Sequence, residues 1–260
     1  MSGGTIRTRK DGAVGWLVFD SPARRNAMSL AMWEGVAEAV AGFAADPDVR
    51  LMVMRGAGEE AFVSGADISE FEAERADSAR GAHYNLATAR AMEALARFEK
   101  PLVAAIRGWC MGGGLAIAMK ADIRIAADDA RFAIPAARLG VAYPAESIRD
   151  LVGLVGPSQA KSILFTARRL DAQEALRLGL VTEVVATSEL EARVAELAAT
   201  LADNAPLSLV AAKEAVDQIA HGRPDIARLE AINAVCFDSA DYAEGRRAFM
   251  EKRRPQFTGR

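Results

Sequence analysis

Apolar and polar residues follow two rhythms along this 260-residue chain. Nearly continuous apolar runs stand at "VGWLVFD" (14–20), "VRLMVMRG" (49–56) and "PLVAAIRG" (101–108), and each predicts a buried strand. Between them apolar residues recur three and four apart. That spacing predicts helices over "LAMWEGVAEAVAGFAAD" (30–46), ending before Pro47, and through about 83–98, ending at "EKP". "AGEEAFVSGADISEFE" reads as a turn running into a short helix, and 121–140 as two short strands and a helix. Strands alternating with helices imply parallel crossover units with both sheet faces covered. "LMVMRG" and "LVAAIRG" also echo each other at 52-residue spacing, each before a turn that opens a helix. Beyond about residue 157 the pattern is almost wholly helical. The expected fold is therefore α/β, with a core over 1–198 and a helical region over 199–260. The Ala-rich faces of that last region suit subunit contacts or packing within the chain.

Composition narrows the function classes. The chain is 51% hydrophobic and 26% charged, with a net charge of −3, a profile that suits a soluble globular protein and argues against a general nucleic-acid binder. No uncharged stretch reaches about 18 residues and the first residues lack a hydrophobic signal core, so a cytoplasmic protein without a membrane partner is expected. Cys110 and Cys236 are isolated, which provides neither a disulfide framework nor a CxxC metal site. With only His83 and His221 and scattered acids, no metal site is predicted. "FVSGAD" lacks the GxSxG elbow of a serine hydrolase.

The chemistry concentrates at "MGGGLAIAMKAD" (111–122), where three glycines precede an apolar helix. A strand–turn–helix junction presents N–H groups with no intrahelical partner, in a field that favours negative charge. Phosphate binding is one use, but neither a P-loop nor a clean G-x-G-x-x-G is present. The other is an oxyanion hole, whose donors are typically worth about 3 kcal/mol each. Close helix–strand packing that tolerates no Cβ also explains such a run. "FVSGADISEF" (62–71) supplies a second junction, where the N–H of Ala66 is free and Asp67 stands near a first helical turn. Two junctions, each with one donor, make a two-donor pocket.

"SPARRNAMS", "FVSGADISEF", "KPLVAAIRGWCMGGGLAIAMKADIRIAADDARFAIP" and "GLVTEVV" resemble the enoyl-CoA hydratase/isomerase (crotonase) superfamily over essentially the whole chain. The resemblance implies a spiral of ββα units, a C-terminal helical region that builds trimers or hexamers, and acyl-CoA as substrate. It implies no tightly bound cofactor, since coenzyme A enters with the substrate. By motif, the oxyanion donors are the N–H groups of Ala66 and Gly113. Arg24 and Arg25 of "ARRNA" match the CoA-binding segment, with backbone around Ala27, Ala66 and Ile68 for the adenine and Asp67 beside it. Arginine suits phosphate through its bidentate fork, although a solvated basic loop has the same composition. Lys252 matches a lysine that reaches CoA from the terminal helix; a solvated helix end is the alternative. Trp109, Met111, Gly112, Ala136 and Leu139 are expected to line the acyl or pantetheine channel, and Cys110 to be a small buried hydrophobe.

Two positions depart from the hydratases. Hydration needs one group to activate water and one to protonate carbon. The family places glutamates at the positions of Ala116 and Ala136, and alanine carries no proton. Enolate stabilisation survives that loss; two-glutamate hydration does not. The loop after Gly140 offers Tyr143 and Glu146 instead. "LGVAY" resembles the methylmalonyl-CoA decarboxylase branch, where a tyrosine stands at the place of Tyr143, although that branch has histidine in place of Ala66. Glu146, if buried with a raised pKa, would serve as a general base for proton shift or thioester hydrolysis. Its alternative is a dipole-favoured first-turn residue after Pro144. Tyr143 has packing as its alternative.

Overall fold

One repeated unit, strand–strand–helix, lays down two sheets side by side in the computed structural model, which describes residues 4–67, 78–222 and 224–260. The chain opens with an antiparallel hairpin, β1 (Thr5–Asp11) and β2 (Val14–Asp20), turning at Gly12. Helix α1 (Leu30–Ala45) follows, capped by the Ser29 hydroxyl accepting from the Met32 N–H at 3.2 Å. Its buried stripe, Met32, Trp33, Val36, Val40 and Phe43, has the three-and-four spacing read from the sequence.

Three units then run in succession. The first is β3 (Leu51–Gly56) and β4 (Ala61–Val63), with α2 (Ser78–Ala96) further along the chain. The second is β5 (Leu102–Ile106), β6 (Trp109–Met111) and α3 (Gly113–Met119). The third is β7 (Ile123–Ala127), β8 (Arg131–Ala133) and α4 (Ala136–Leu139). Helix α5 (Ala145–Thr166) breaks at Gly156–Pro157, and β9 (Leu170–Asp171), α6 (Ala172–Arg177) and β10 (Glu183–Val185) come next. Four helices close the chain: α7 (Leu190–Asp203), α8 (Pro206–Ala220), α9 (Ile226–Phe237) and α10 (Ala240–Glu251).

Each unit gives its first strand to a large sheet, ordered β1-β2-β3-β5-β7-β10, and its second to a small one, ordered β4-β6-β8-β9. The 52-residue echo is this repeat. Strands β3, β5 and β7 are apolar on both faces because both faces are covered. One face packs against the small sheet, α1 and α2; the other takes Leu190, Val194 and Ala198 of α7.

The exposed polar β1 and the three-residue strands β4 and β6 of the small sheet are absent from the sequence reading, whereas the two short strands read within 121–140 are β7 and β8. β1 has no apolar period, and β4 and β6 are too short to show one. The expected division at 198/199 falls inside α7. "GLVTEVV" supplies β10, which pairs in parallel with β7 at the sheet edge, so the sheet extends into the stretch that reads as helical. No helix among the described residues is long and apolar enough to cross a membrane.

Candidate functional site

The small sheet decides where the two glycine turns go. β4 pairs in parallel with β6, and β6 with β8, so the turns leaving their C-terminal ends emerge side by side. Gly65 turns the chain at φ +120° and Gly112 at φ +50°, conformations that glycine reaches without strain. An isolated parallel bridge joins Met28 to Ala66: the Met28 N–H donates to Gly65 O at 2.8 Å and the Asp67 N–H to Met28 O at 3.0 Å. The intervening N–H of Ala66 therefore faces away from Met28. Gly113 is the first residue of α3, so its N–H has no helical acceptor. Among the described residues, neither N–H donates to a protein acceptor. They face a common space, because a Cβ placed on Gly113 would lie 4.0 Å from Ala66 N and 3.6 Å from the Trp33 ring.

The other glycines in "GGG" have different duties. Gly112 is tied to the neighbouring strand by its N–H, which donates to Ala133 O at 2.9 Å. A Cβ on Gly114 would overlap the Val63 carbonyl oxygen. The run therefore divides between adjacent residues: open space at Gly113 and close packing at Gly114.

The "ARRNA" loop lies along the first turn. Ser64 N–H donates to Arg25 O at 3.1 Å, and Arg24 forms an ion pair with the buried Asp67 carboxylate. Arg25 pairs with Glu60 at 3.0 Å, on the surface. Ala27, two residues beyond Arg25, is half-buried, and its N–H donates to Arg24 O at 3.1 Å. Asn26, which sequence reasoning passed over, holds the loop. Its fully buried side chain accepts from Ser21 N–H at 2.9 Å and donates to Ala57 O at 2.9 Å and Ala61 O at 2.7 Å. Ile68, and the helix expected from there, lie outside the described residues. Lys252 sits exposed at the end of α10, and no hydrogen bond or ion pair among the described residues joins it to this loop.

The surroundings of the paired turns are largely apolar. Ala116 is buried and Ala136 half-buried, at the start of α3 and α4 behind the paired turns. Trp33 reaches the Gly113 space from α1, and its indole N–H donates to the Tyr84 hydroxyl at 3.0 Å. This pair left no sequence signal, because only tertiary packing brings α1 and α2 together. Tyr143 comes to the same place: its hydroxyl donates to Gly112 O at 2.9 Å. Burial, with Cys110 and Asp150 nearby, pushes its pKa upward, so the phenol keeps its proton. Leu139 is exposed. Trp109 is half-buried under the Arg169 guanidinium, whose carbon lies 5.1 Å from the ring centroid. Cys110 is fully buried, and burial raises its thiol pKa.

Glu146 does not meet the burial condition set for a base. Its side chain is 53% exposed, bonded to Lys120 at 3.3 Å and 3.6 Å from Arg149. The physical reason is its place on the outer side of the first turn of α5, where two cations neutralise it. Lys120, by contrast, is only 4% exposed and pairs with Asp150 at 2.8 Å.

Comparison with known proteins adds to this geometry. The profile of the enoyl-CoA hydratase/isomerase family matches residues 9–260. A short-chain-enoyl-CoA hydratase of Clostridium acetobutylicum is 34% identical over 247 residues, 94% of each chain. A carnitinyl-CoA dehydratase of Salmonella typhi is 32% identical over 269 residues, 98% of this chain and 99% of that one. Among solved structures, an enoyl-CoA hydratase/carnithine racemase from Magnetospirillum magneticum superposes with a TM-score of 0.94 at 34% identity, covering 100% of this chain and 97% of its own.

Proposed function

We propose a function from one premise: the chain belongs to the enoyl-CoA hydratase/isomerase family. It binds an acyl-CoA thioester and stabilises the enolate in an oxyanion hole formed by the N–H groups of Ala66 and Gly113. The observation that carries this reading is the pair of donors that have no protein acceptor among the described residues, facing one space across the parallel β4–β6 edge. Fixed donors aimed at a developing charge stabilise the transition state more than the ground state. Arg24 and Arg25 take the phosphates of coenzyme A, and Lys252, exposed at the end of α10, adds a third cation. Backbone around Ala27, Ala66, Asp67 and Ile68 holds the adenine.

The reaction is not two-glutamate hydration. The relatives' names make hydration and dehydration the natural comparison, but Ala116 and Ala136 leave no acid at either position. What the pocket does hold is a protonated tyrosine beside the donor turn. That favours a lyase or isomerase step, with decarboxylation of a malonyl-type CoA as the concrete version. The bond to the carboxylate breaks, CO2 leaves, and the electron pair becomes the enolate held against the two N–H groups. A proton from water then adds to carbon, the hydroxide combining with CO2 as bicarbonate, while Tyr143 holds the donor turn. The thioester-hydrolase alternative loses its support with Glu146 exposed and paired.

Subunit assembly belongs to the same proposal. Val216, Ile219, Val235, Phe237 and Phe249 expose apolar surface on α8 to α10, beside a groove of about 790 Å³, and a homotrimer or a pair of trimers would cover it. Sedimentation of the purified protein as a monomer would remove that part. Turnover of crotonyl-CoA and methylmalonyl-CoA tests the chemistry. Little hydration of the first is expected, with loss of CO2 from the second; hydration at the median enzyme rate of about 10 s⁻¹ or above would overturn the case built on the two alanines. Binding of both thioesters without turnover would mark an acyl-CoA-binding protein.

A further inference from the structure

The hydrogen bond from Tyr143 ends on the peptide group that carries the second donor. The amide between Gly112 and Gly113 has one oxygen, Gly112 O, and one proton, the Gly113 N–H. That oxygen accepts from the Tyr143 hydroxyl at 2.9 Å and from the Ala116 N–H at 3.0 Å. A carbonyl oxygen offers two lone pairs, so both are occupied. Each bond accepted at the oxygen draws electron density from the nitrogen and leaves the N–H a stronger donor. We infer that Tyr143 is a positioning residue which polarises the Gly112–Gly113 peptide and so strengthens the oxyanion donor at Gly113 without touching the substrate.

Three features fit this role. Burial keeps the phenol protonated, so it remains a donor across the working pH range. The peptide cannot swing to follow a weaker partner, because Gly112 N–H is fixed to Ala133 O at 2.9 Å and Gly114 is packed against Val63. The Ala116 contribution is built into the helix, whereas the Tyr143 bond comes from the segment after Gly140 and is the part a side chain can tune. The same hydroxyl also fixes the segment 140–144 to the turn, so that Ala136 and Tyr143 stay at the edge of the pocket.

The inference rests on the acyl-CoA reading for only one of its two measurements. In ligand-free protein, Tyr143→Phe keeps the ring and removes the hydroxyl, so the Gly113 amide nitrogen and proton resonances are expected to move upfield. Replacing Tyr143 by 3-fluorotyrosine, a stronger acid of nearly the same size, should move them downfield; it also serves if the phenylalanine variant folds poorly. In the complex with carbonyl-13C-labelled crotonyl-CoA, the thioester carbonyl stretch should lie below its free value. Tyr143→Phe should shift it back toward that value, and 3-fluorotyrosine should lower it further. The cooperative share of one donor corresponds to about a two- to fivefold loss of turnover in the phenylalanine variant. Gly113 resonances that ignore both substitutions overturn the inference, as does a bound carbonyl stretch unchanged by them. A wild-type protein that binds no crotonyl-CoA defeats the acyl-CoA reading alone, and the amide resonances still decide this one.

Discussion

The turn at Ser64–Asp67 and the turn at Met111–Gly114 each offer one N–H to the same space, and they are held by opposite means. The first is held from outside. Met28 bridges Ala66, Arg25 O receives the Ser64 N–H, and Arg24 pairs with Asp67. The second is held by its own backbone: Gly112 at φ +50°, a bond to Ala133 O, and no room for a Cβ on Gly114. A donor fixed by sterics has one position. One fixed through a charged loop can respond to whatever that loop binds, which under the proposed function would be the phosphates of coenzyme A.

The sharpest way to break this contrast is within the glycine run. Gly114→Ala drives a methyl group into Val63 O, backbone against backbone, so nothing flexible can give way. Its cost should reach or exceed the ~3 kcal/mol at the upper end of ordinary overpacking, lowering the melting temperature by about 10 °C. Thermal unfolding by circular dichroism checks it, and an unchanged midpoint would show that the second turn is not sterically fixed. Gly113→Ala, one residue earlier, meets only van der Waals contacts at 3.6 Å or more. The fold should survive with the melting temperature within about 2 °C. The methyl group occupies the space between the donors, so kcat for the thioester substrate should fall about 10²–10³-fold, the cost of one lost oxyanion donor. Equal damage to stability from both substitutions would erase the distinction.

The same contrast explains what was legible beforehand. Glycine reports a backbone requirement directly, so both turns could be read from the residues alone, while the assignment of the donors to Ala66 and Gly113 came from the family resemblance. Strand β2 begins and ends where the apolar run does, because buried length and pattern coincide. Of the small sheet only β8 was legible, since strands of three residues carry almost no period, and yet the parallel pairing of β4 with β6 is what brings the two turns together. Asn26 and Trp33 were missed for a related reason: the carbonyls that Asn26 donates to and the hydroxyl that Trp33 donates to lie 31 to 51 residues away, and no local pattern signals a contact at that range. Glu146 stood between two readings, a buried base and a first-turn residue favoured by the dipole, because first-turn position does not reveal which side of the helix meets solvent; its exposed, paired side chain fits the second.

The smallest expected effects belong to the first turn, and their sign matters more than their size. Asp67 is 8% exposed and Arg24 44%, so the ion pair is screened on one side. Asp67→Asn should cost about 1 kcal/mol of stability, near the upper end for pairs with an exposed partner. The substitution also removes a negative charge that competes with phosphate for Arg24. If Arg24 binds coenzyme A as proposed, Asp67→Asn should tighten acyl-CoA binding a few-fold by calorimetry, more at low salt than at high salt. Arg24→Gln should weaken it by a similar factor and abolish the gain when the two substitutions are combined, the signature of coupled sites. Weaker binding in Asp67→Asn would mean that the carboxylate serves the site by holding the turn rather than by restraining the arginine. The first turn would then be as rigidly built as the second, with ion pairing in place of sterics.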